Sequence, residues 1–265
     1  MIDFESIERR YNWSKTRRAG LERSINYFKK NHPFFLKADI AKDRLSWTLQ
    51  VVTGKSPPLV DWGFWHAGII HDLRSVLDNV VWMIAHSDQS PNHPDKLGFP
   101  IVTEARRWGK SATDKIAELP EPCKDYIERL QPYRRAQTDL IGSTLRLLHE
   151  LDIQNKHRAP VVVAVSAKQE MDNGFNVIYK EALDPTATIK IKPAHFQYQN
   201  GQVIWRQTAP KPIERLVGNF EVNAHFVIKD KSGAEYPLLG SLDHIFSGCA
   251  EVLDTLKNVC SETRN

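Results

Sequence analysis

Residues 66–86 have the sequence HAGIIHDLRSVLDNVVWMIAH, and this largely apolar stretch predicts the long helix around which the rest of the chain is organised. At about 100° per residue, one broad side of the helix is apolar and the opposite side carries a polar row. The row consists of His71, Arg74, Asp78 and Trp82. Burying charged groups is costly unless they are paired or face a polar cleft. Because Arg74 and Asp78 are four residues apart, we expect them to pair along the helix.

The composition is that of an ordinary globular protein. With 265 residues, 41% hydrophobic and 26% charged, the chain is long enough for a sizeable core, and we expect residues 1–265 to form one compact unit. No apolar run reaches the roughly 18 residues of a membrane span, and the opening MIDFESIERR lacks the order of a signal peptide. We therefore expect a cytoplasmic protein with no membrane partner. Three cysteines at spacings that match no metal knuckle predict buried or free thiols.

The charge balance leans basic, with a formal net charge of +4 and a pI near 8.9. Basic doublets such as Arg9-Arg10 and Arg134-Arg135 recur along the chain, but they alternate with acidic residues more than they cluster. This pattern is typical of solvated helix faces, and it also permits an anionic partner such as RNA.

Residues 1–158 predict a mainly helical part. Residues 45–51 alternate between apolar and polar side chains, so we expect a β-hairpin formed by residues 35–41 and 44–53 among the helices. An isolated hairpin is only marginally stable, and its partner strands must come from elsewhere in the chain. Besides the central helix, we expect helices over residues 3–31 and 104–119, a short one ending near Leu130, and one over 136–151, with Asp61 and Thr103 as N-caps of the central and third helices.

Residues 159–240 predict an antiparallel β part, and residues 241–260 predict a closing helix capped by Ser241. Asn200-Gly201 is a strong hairpin signal between two alternating runs. Further strands are expected at residues 160–165, 175–179, 219–228 and 235–238. An order of helices, then strands, then a helix favours an α+β fold with an antiparallel sheet.

Two groups of residues could carry chemistry. The first is the polar row of the central helix, and the second lies where the last helix of the bundle is expected to give way to a strand. An arginine and a lysine can stabilise charge on a phosphate, and a near-neutral histidine can take a proton from a ribose 2′-hydroxyl. The candidate catalytic residues are His71, Arg74, Asp78, Lys156, His157 and Arg158, and the candidate binding residues are Trp82, His149 and Asn155.

The same residues also have a structural interpretation. Arg74 and Asp78 could pair and cap neighbouring helix ends, while the cations of residues 156–158 interact favourably with a helix C-terminus. The sequence has no ligand spacing typical of a metal site and no glycine-rich phosphate loop, so we expect neither a metal nor a cofactor.

Four motifs in order resemble a broad bacterial family of uncharacterised proteins. They are HDLRSVLDNVVWMIA at 71–85, FPI at 99–101, LQPY at 130–133 and LHELDIQNKHR at 148–158, so the resemblance covers about residues 60–160. The order of the motifs is fairly specific for the family, but the resemblance implies no particular activity.

A weaker similarity is to HEPN domains, which are helical bundles whose arginine and a histidine four to six residues later form a metal-independent RNase site. Arg74 matches the arginine of that motif. The position five residues later is Asn79, which cannot act as a general base. The resemblance therefore implies either that His71, His149 or His157 replaces the histidine in space, or that the chain is a non-catalytic member of the class.

These observations support three functional hypotheses. The first is a metal-independent ribonuclease, of the toxin or defence type, acting on RNA. The second is a non-catalytic binding or homo-oligomerising protein whose buried polar row fixes the register of the helices. The third is an enzyme acting on a small molecule in a cleft between the helical bundle and the sheet.

Overall fold

A computed structural model of the chain has the α+β architecture that the order of predicted elements favours. It describes residues 4–87, 90–157, 163–166, 176–181, 200–217, 221–222, 224–230 and 232–262. The chain divides into two compact units, the first formed by Met1–Glu22, Val60–Val162 and Lys229–Asn265 and the second by Arg23–Leu59 and Val163–Ile228. A single compact unit over residues 1–265 stays a prediction.

The helices belong mainly to the first unit, and the central one is buried along its apolar side as predicted. His66, Ile69, Leu73 and Leu77 are among its residues with no exposed surface. Steps of three or four residues place them on one face, which explains this burial. The helices are α1 (Glu5–Asn31), α2 (Leu59–Ala85), α3 (Lys110–Thr113), α4 (Glu121–Arg129), α5 (Leu140–His157) and α6 (Leu238–Glu262).

Helices α1 and α6 run antiparallel to each other in the first unit. Near one end, the Arg18 guanidinium contacts Asp243 at 2.7 Å. Near the other end, Lys257 contacts Glu8. Between them, the Tyr11 hydroxyl donates to the main-chain oxygen of Phe246 at 3.0 Å. The apolar stripe predicted for the last helix is buried, and α6 also packs on α4 and α5.

The second unit contains the predicted hairpin and the strands that complete it. β1 (Phe34–Ile40) pairs antiparallel with β2 (Ser46–Thr53), in a register from Phe34 opposite Thr53 to Ile40 opposite Trp47. Trp47, Leu49 and Val51 are buried, as period-two alternation predicts. The other strands of the chain are β3 (Val163–Ser166), β4 (Asn176–Tyr179), β5 (Val203–Thr208), β6 (Ile213–Val217), β7 (Glu221–Val222), β8 (His225–Lys229) and β9 (Glu235–Pro237). Of these, β9 belongs to the first unit.

The hairpin becomes stable by gaining neighbours from the C-terminal third of the chain. β5 and β7 add antiparallel to its two edges, which gives a four-stranded sheet in the order β5-β2-β1-β7. Antiparallel pairs are also formed by β3 with β8 and by β4 with β6. Gly201 has a φ of 81° at the predicted Asn200-Gly201 turn, a conformation that favours glycine. The first of the two runs flanking that turn lies outside the described residues.

Two of the predicted N-caps are wrong because the helices begin earlier than expected. α2 begins at Leu59, so Asp61 lies in its first turn, where a carboxylate interacts favourably with the helix dipole. α6 begins at Leu238, directly after Pro237, so Ser241 lies inside the helix. Its hydroxyl donates to the carbonyl of Leu238 at 3.0 Å instead of capping, a local bond that serine readily makes within a helix.

The predicted helix over residues 104–119 is also wrong. The segment forms 3-10 turns at Ala105–Arg107 and Asp114–Ile116, with α3 as one short turn of α-helix between them. Gly109 is extended, with φ −146° and ψ −164°, and it interrupts the helical pattern because glycine is a poor helix former. Glu104 occupies the N-cap position of the first turn, and Thr103 caps nothing.

Helix α5 lies further along the chain than predicted. It begins at Leu140 instead of Ala136, because the carboxylate of Asp139 accepts a hydrogen bond from the Gly142 amide at 2.8 Å and so caps the helix. It ends at His157, so Asn155 and Lys156 belong to its last turn rather than to a junction with a strand.

Cys123 and Cys249 are buried free thiols, as their spacing predicts, and the side chain of Cys260 lies outside the described residues. Over the ranges that the structure describes, no helix is both long enough and apolar enough to cross a bilayer.

Candidate functional site

Arg74 and Asp78 pair on α2 as predicted, and together they bind the main chain of the FPI segment. The Arg74 Nη2 donates to Asp78 Oδ1 at 2.9 Å and to the carbonyl of Phe99 at 2.5 Å. The amide of Phe99 donates to the same Asp78 oxygen at 2.8 Å. Both main-chain polar groups of Phe99 are therefore satisfied by α2, which fastens the segment after α2 to the helix.

The Arg74 side chain is only 11% exposed, and its second terminal nitrogen remains without a partner. Nη1 is buried and makes no hydrogen bond to any of the residues described. A buried donor without a partner is uncommon, because losing hydration without a compensating bond costs about 1–3 kcal/mol. The guanidinium of Arg74 therefore keeps one unsatisfied donor in the interior, beside its contacts to Asp78 and Phe99.

A second polar contact joins α2 to α5. Asp152 on α5 is almost fully buried, and its Oδ2 accepts a hydrogen bond from Lys156 Nζ at 2.7 Å. Its other oxygen lies 3.8 Å from Nδ1 of His71, whose side chain is 61% exposed. In a general base, one imidazole nitrogen faces the substrate and a carboxylate near the other nitrogen orients the ring. The distance between the carboxylate and the imidazole is often long when no substrate is bound. His71 is thus accessible and has a buried carboxylate behind it.

Lys115, in the 3-10 turn Asp114–Ile116, is a member of this site that sequence reasoning missed. The pKa of Lys115 is lowered, first by partial burial and then by the positive charges of Arg74 and Lys156, while Asp78 acts in the opposite direction. Among the residues that the structure describes, no carboxylate lies within ion-pair distance of Lys115. Three cations therefore share a region with two carboxylates.

A main-chain hydrogen bond holds Lys115 near Arg74 and Asp78. Its carbonyl accepts a hydrogen bond from the amide of Gly98 at 3.2 Å, next to the residue that α2 binds. A Cβ on Gly98 would lie 3.3 Å from Asp78 Oδ1, so a glycine suits this close approach. No sequence signal marks Lys115, because its position depends on this tether. We refer to the following residues as the polar cluster: His71, Arg74, Asp78, Lys115, Asp152 and Lys156.

Other predicted site residues on α5 lie near the cluster in the helix. His149 precedes Asp152 by three residues and therefore shares its side of the helix. Asn155 follows Asp152 by three residues, and both polar atoms of its amide are buried without a hydrogen-bond partner in the described parts of the chain. The side chain of His157 and all of Arg158 lie outside the described residues, so the catalytic roles expected for these two residues stay predictions.

Trp82, the last member of the polar row, is 44% exposed. Its ring stacks on His86 with centroids 3.6 Å apart, and the His86 Nδ1 lies 2.8 Å from the Trp82 carbonyl. The exposed side of an indole is suited to stacking on a base.

The chemistry available to the polar cluster is that of anion binding and proton transfer. Its charges comprise two ammonium groups, one guanidinium and two carboxylates, with a titratable imidazole at the open side. Within the described ranges, no group of three or more His, Cys, Asp or Glu side chains is arranged to hold a metal ion. A phosphate group would reduce the repulsion among the three cations.

Comparisons with models of protein families, with curated proteins and with solved structures found no match to this chain. The resemblance of residues 60–160 to the bacterial family, and the weaker one to HEPN domains, stay predictions.

Proposed function

We propose that the protein binds RNA through the polar cluster and cleaves it without a metal ion. The observation that carries the proposal is the exposed imidazole of His71, which lies 3.8 Å from the buried carboxylate of Asp152, the same carboxylate that Lys156 contacts. The positive charges of Arg74 and Lys115 support it, since Arg74 and Lys156 both act on the pKa of Lys115. Phosphate binding and a positioned base are the two requirements for cleaving a phosphodiester beside a 2′-hydroxyl.

Four members of the cluster act on the RNA in this proposal. Lys115 and Lys156 are exposed and contact the phosphate oxygens, while Arg74 contributes its charge from the interior. His71 takes the proton of the 2′-hydroxyl, and the 2′-oxygen attacks phosphorus as the bond to the 5′-oxygen breaks. The 5′-oxygen leaves with a proton from solvent, so the products are a 2′,3′-cyclic phosphate and a free 5′-hydroxyl.

The test is cleavage of a single-stranded RNA by the purified full chain in the presence of EDTA. We expect His71→Gln to lower the rate by about 10²–10⁴-fold, which is the usual contribution of a general base. His225→Gln is the matched control, because His225 is an exposed histidine on β8. A product without a cyclic phosphate, or equal rates for the two variants, would contradict the proposal.

Binding is tested separately by measuring RNA affinity over a range of salt concentrations. Lys115→Ala and Lys156→Ala should each weaken binding and reduce the dependence of log affinity on log salt by about 0.7, the value for one phosphate contact on a single strand. Lys37→Ala is the control, since this lysine is 63% exposed and belongs to the second unit. If the three lysine variants behave alike, the phosphate contacts do not exist.

A toxin or defence role for the RNase is a further part of the proposal. Expression of the protein should slow the growth of a bacterial host, and His71→Gln should relieve this effect. His157→Ala tests in the same assay whether the histidine at the end of α5 takes part. Growth inhibition that survives both substitutions speaks against a toxic nuclease.

A non-catalytic role is the second candidate, and a specific observation favours it. Arg74 is largely buried and donates to main chain, which is what a purely structural arginine does. Under this alternative, Arg74→Ala lowers the melting temperature, His71→Gln changes nothing, and RNA is neither bound nor cut. Sedimentation of the purified chain then tests homo-oligomerisation, which stays a prediction.

A further inference from the structure

A cavity lies in the first unit, between α5 and the start of α6. Its volume is about 560 Å³, within the range of roughly 300–1,000 Å³ typical of small-molecule sites. Leu147, Pro237 and Gly240 contribute apolar walls, and Ser143, Arg146, Glu150 and His244 supply polar groups. We call this cavity the α5–α6 cleft.

The cleft and the polar cluster use opposite sides of α5. At about 100° per residue, Ser143, Leu147 and Glu150 project to the side of the helix away from Asp152. Lys156 follows Asp152 by four residues and shares its side. The cleft is therefore a separate feature from the proposed RNA site, and the polar row of α2 includes none of its residues.

Ser143 and His244 resemble a nucleophile and its base, but their hydrogen bonds indicate a different role. The Ser143 hydroxyl lies 2.7 Å from the Asp139 carbonyl and 3.0 Å from the Leu140 carbonyl, so its single proton is donated to main chain. His244 Nε2 lies 3.0 Å from Ser143 Oγ, and an oxygen whose only proton is used in this way can only accept from it, which requires the tautomer protonated at Nε2. In that tautomer Nε2 cannot accept a proton from the serine, so the pair is suited to binding rather than to acyl transfer.

Arg146 and Glu150 both line the cleft, one helical turn apart, yet they do not pair with each other. Within the ranges that the structure describes, neither side chain forms an ion pair or hydrogen bond with another residue. The negative charge of Glu150 reaches the cleft, since it is one of the causes, after burial and Asp230, that raise the pKa of Tyr236. The cleft thus offers one positive and one negative group with an apolar wall beside them.

We propose that the α5–α6 cleft binds a small zwitterion with an apolar body, of the class of an α-amino acid with an aliphatic or aromatic side chain. The carboxylate of the ligand binds the Arg146 guanidinium, which matches carboxylate geometry through two parallel hydrogen bonds. Its ammonium binds Glu150. The apolar body packs on Leu147 and Pro237, where it leaves water.

The test is calorimetric binding of L-phenylalanine and L-leucine to the full chain, with N-acetyl-L-phenylalanine and phenethylamine as analogues that each lack one charge. At least one of the two amino acids should bind, and each analogue should bind more weakly by about tenfold or more, the usual effect of losing a charged hydrogen bond. In Arg146→Gln, the amino acid should no longer bind more tightly than phenethylamine, which lacks the carboxylate. In Glu150→Gln, the amino acid should no longer bind more tightly than N-acetyl-L-phenylalanine, which lacks the ammonium.

Arg9→Gln and Glu5→Gln are matched controls, because that pair is exposed on α1 and lies outside the cleft. Arg146→Lys keeps the charge but not the paired geometry, so its affinity should fall between those of the wild type and Arg146→Gln. The proposal is overturned if neither amino acid binds, or if binding is the same in Arg146→Gln and Arg9→Gln. Cleavage of RNA should be unchanged in all these variants, so failure here is distinguishable from failure of the proposed RNase.

Discussion

Arg74 and Asp78, one turn apart on α2, hold the main chain of Phe99 from both sides. The arginine donates to its carbonyl at 2.5 Å, and the aspartate accepts from its amide at 2.8 Å. The ion pair predicted from their spacing is therefore also a tertiary link to a segment more than twenty residues away in the chain. Through Gly98 the same link positions Lys115, so the arrangement of the proposed RNA site depends on this pair.

This relationship predicts a loss of stability when the aspartate is removed. Asp78→Ala should lower the free energy of unfolding by about 1–3 kcal/mol, because both the guanidinium and the Phe99 amide lose an acceptor. Urea denaturation followed by circular dichroism measures the change. Glu5→Ala, which breaks an exposed pair on α1, should cost less than about 1 kcal/mol. An equal effect of the two substitutions would show that the contact to Phe99 contributes nothing.

The buried His66 predicts that stability falls in mild acid. Burial lowers the pKa of His66 from 6.5 to about 3, and its Nε2 lies 3.2 Å from the Ser241 hydroxyl. Because the folded pKa lies below the unfolded one, the unfolded chain binds more protons below pH 6.5, so acid favours unfolding. The stability that neutral His66 contributes is fully present above the pKa of the unfolded chain. It is lost as the pH falls toward the pKa of the folded protein.

The measurement is the free energy of unfolding between about pH 4.5 and 6.5, where the ordinary pKa values of carboxylates contribute least. His66→Gln lacks the titrating group, so its dependence on pH should be shallower by up to about 1.4 kcal/mol per pH unit. This variant is expected to be less stable at every pH. The test is unaffected, because it compares how steeply the free energy of unfolding changes with pH. If the free energy of unfolding depended on pH equally in the wild type and in His66→Gln, His66 would not be a neutral histidine in the folded protein.

Asp139 predicts a measurable capping effect at the start of α5. Asp139→Ala should lower stability by about 0.5–2 kcal/mol, since the Gly142 amide loses its acceptor, whereas Asp139→Asn keeps a capping oxygen and should cost less. Arg135 and the Gly142 amide lower the pKa of Asp139. The difference between wild type and Asp139→Ala should therefore be complete above the unfolded pKa and shrink as the pH falls through the folded one. Thermal unfolding at several pH values tests both statements.

Gly248 predicts a site where α5 and α6 approach too closely for any side chain. A Cβ at this position would lie 2.6 Å from the Cβ of Thr144, so Gly248→Ala must push the helices apart. We expect a loss of about 1–3 kcal/mol, the usual effect of overpacking. Gly54→Ala is the control, because a Cβ there would have no neighbour within 4 Å. The measurement is the denaturant concentration at the unfolding midpoint of each variant. Similar midpoints for the two variants would mean that the helices move apart without a loss of stability.

The repeating patterns in the sequence were sufficient to predict most of the larger elements. The burial of α2, the end of α1 at Asn31, the β1–β2 hairpin and the apolar stripe of α6 agree with the structure, because periodicity reflects which face of a segment leaves water. The N-cap of α5 was also within reach, since an aspartate before an apolar helical run is a recognised start signal. The predicted start at Ala136 lies three residues before that signal, whereas the helix begins directly after it.

In the candidate site, too, contacts within one helix were predictable and contacts between distant segments were not. The sequence by itself determined that Arg74 and Asp78 would pair, because a helix brings residues four apart together wherever it lies. Only the tertiary structure decided that Asp152 stands behind His71 and that Lys115 shares a region with Arg74 and Lys156. Contacts between distant polar side chains depend on how helices pack and where loops are tied, and hydrophobic periodicity within each segment carries no information about either.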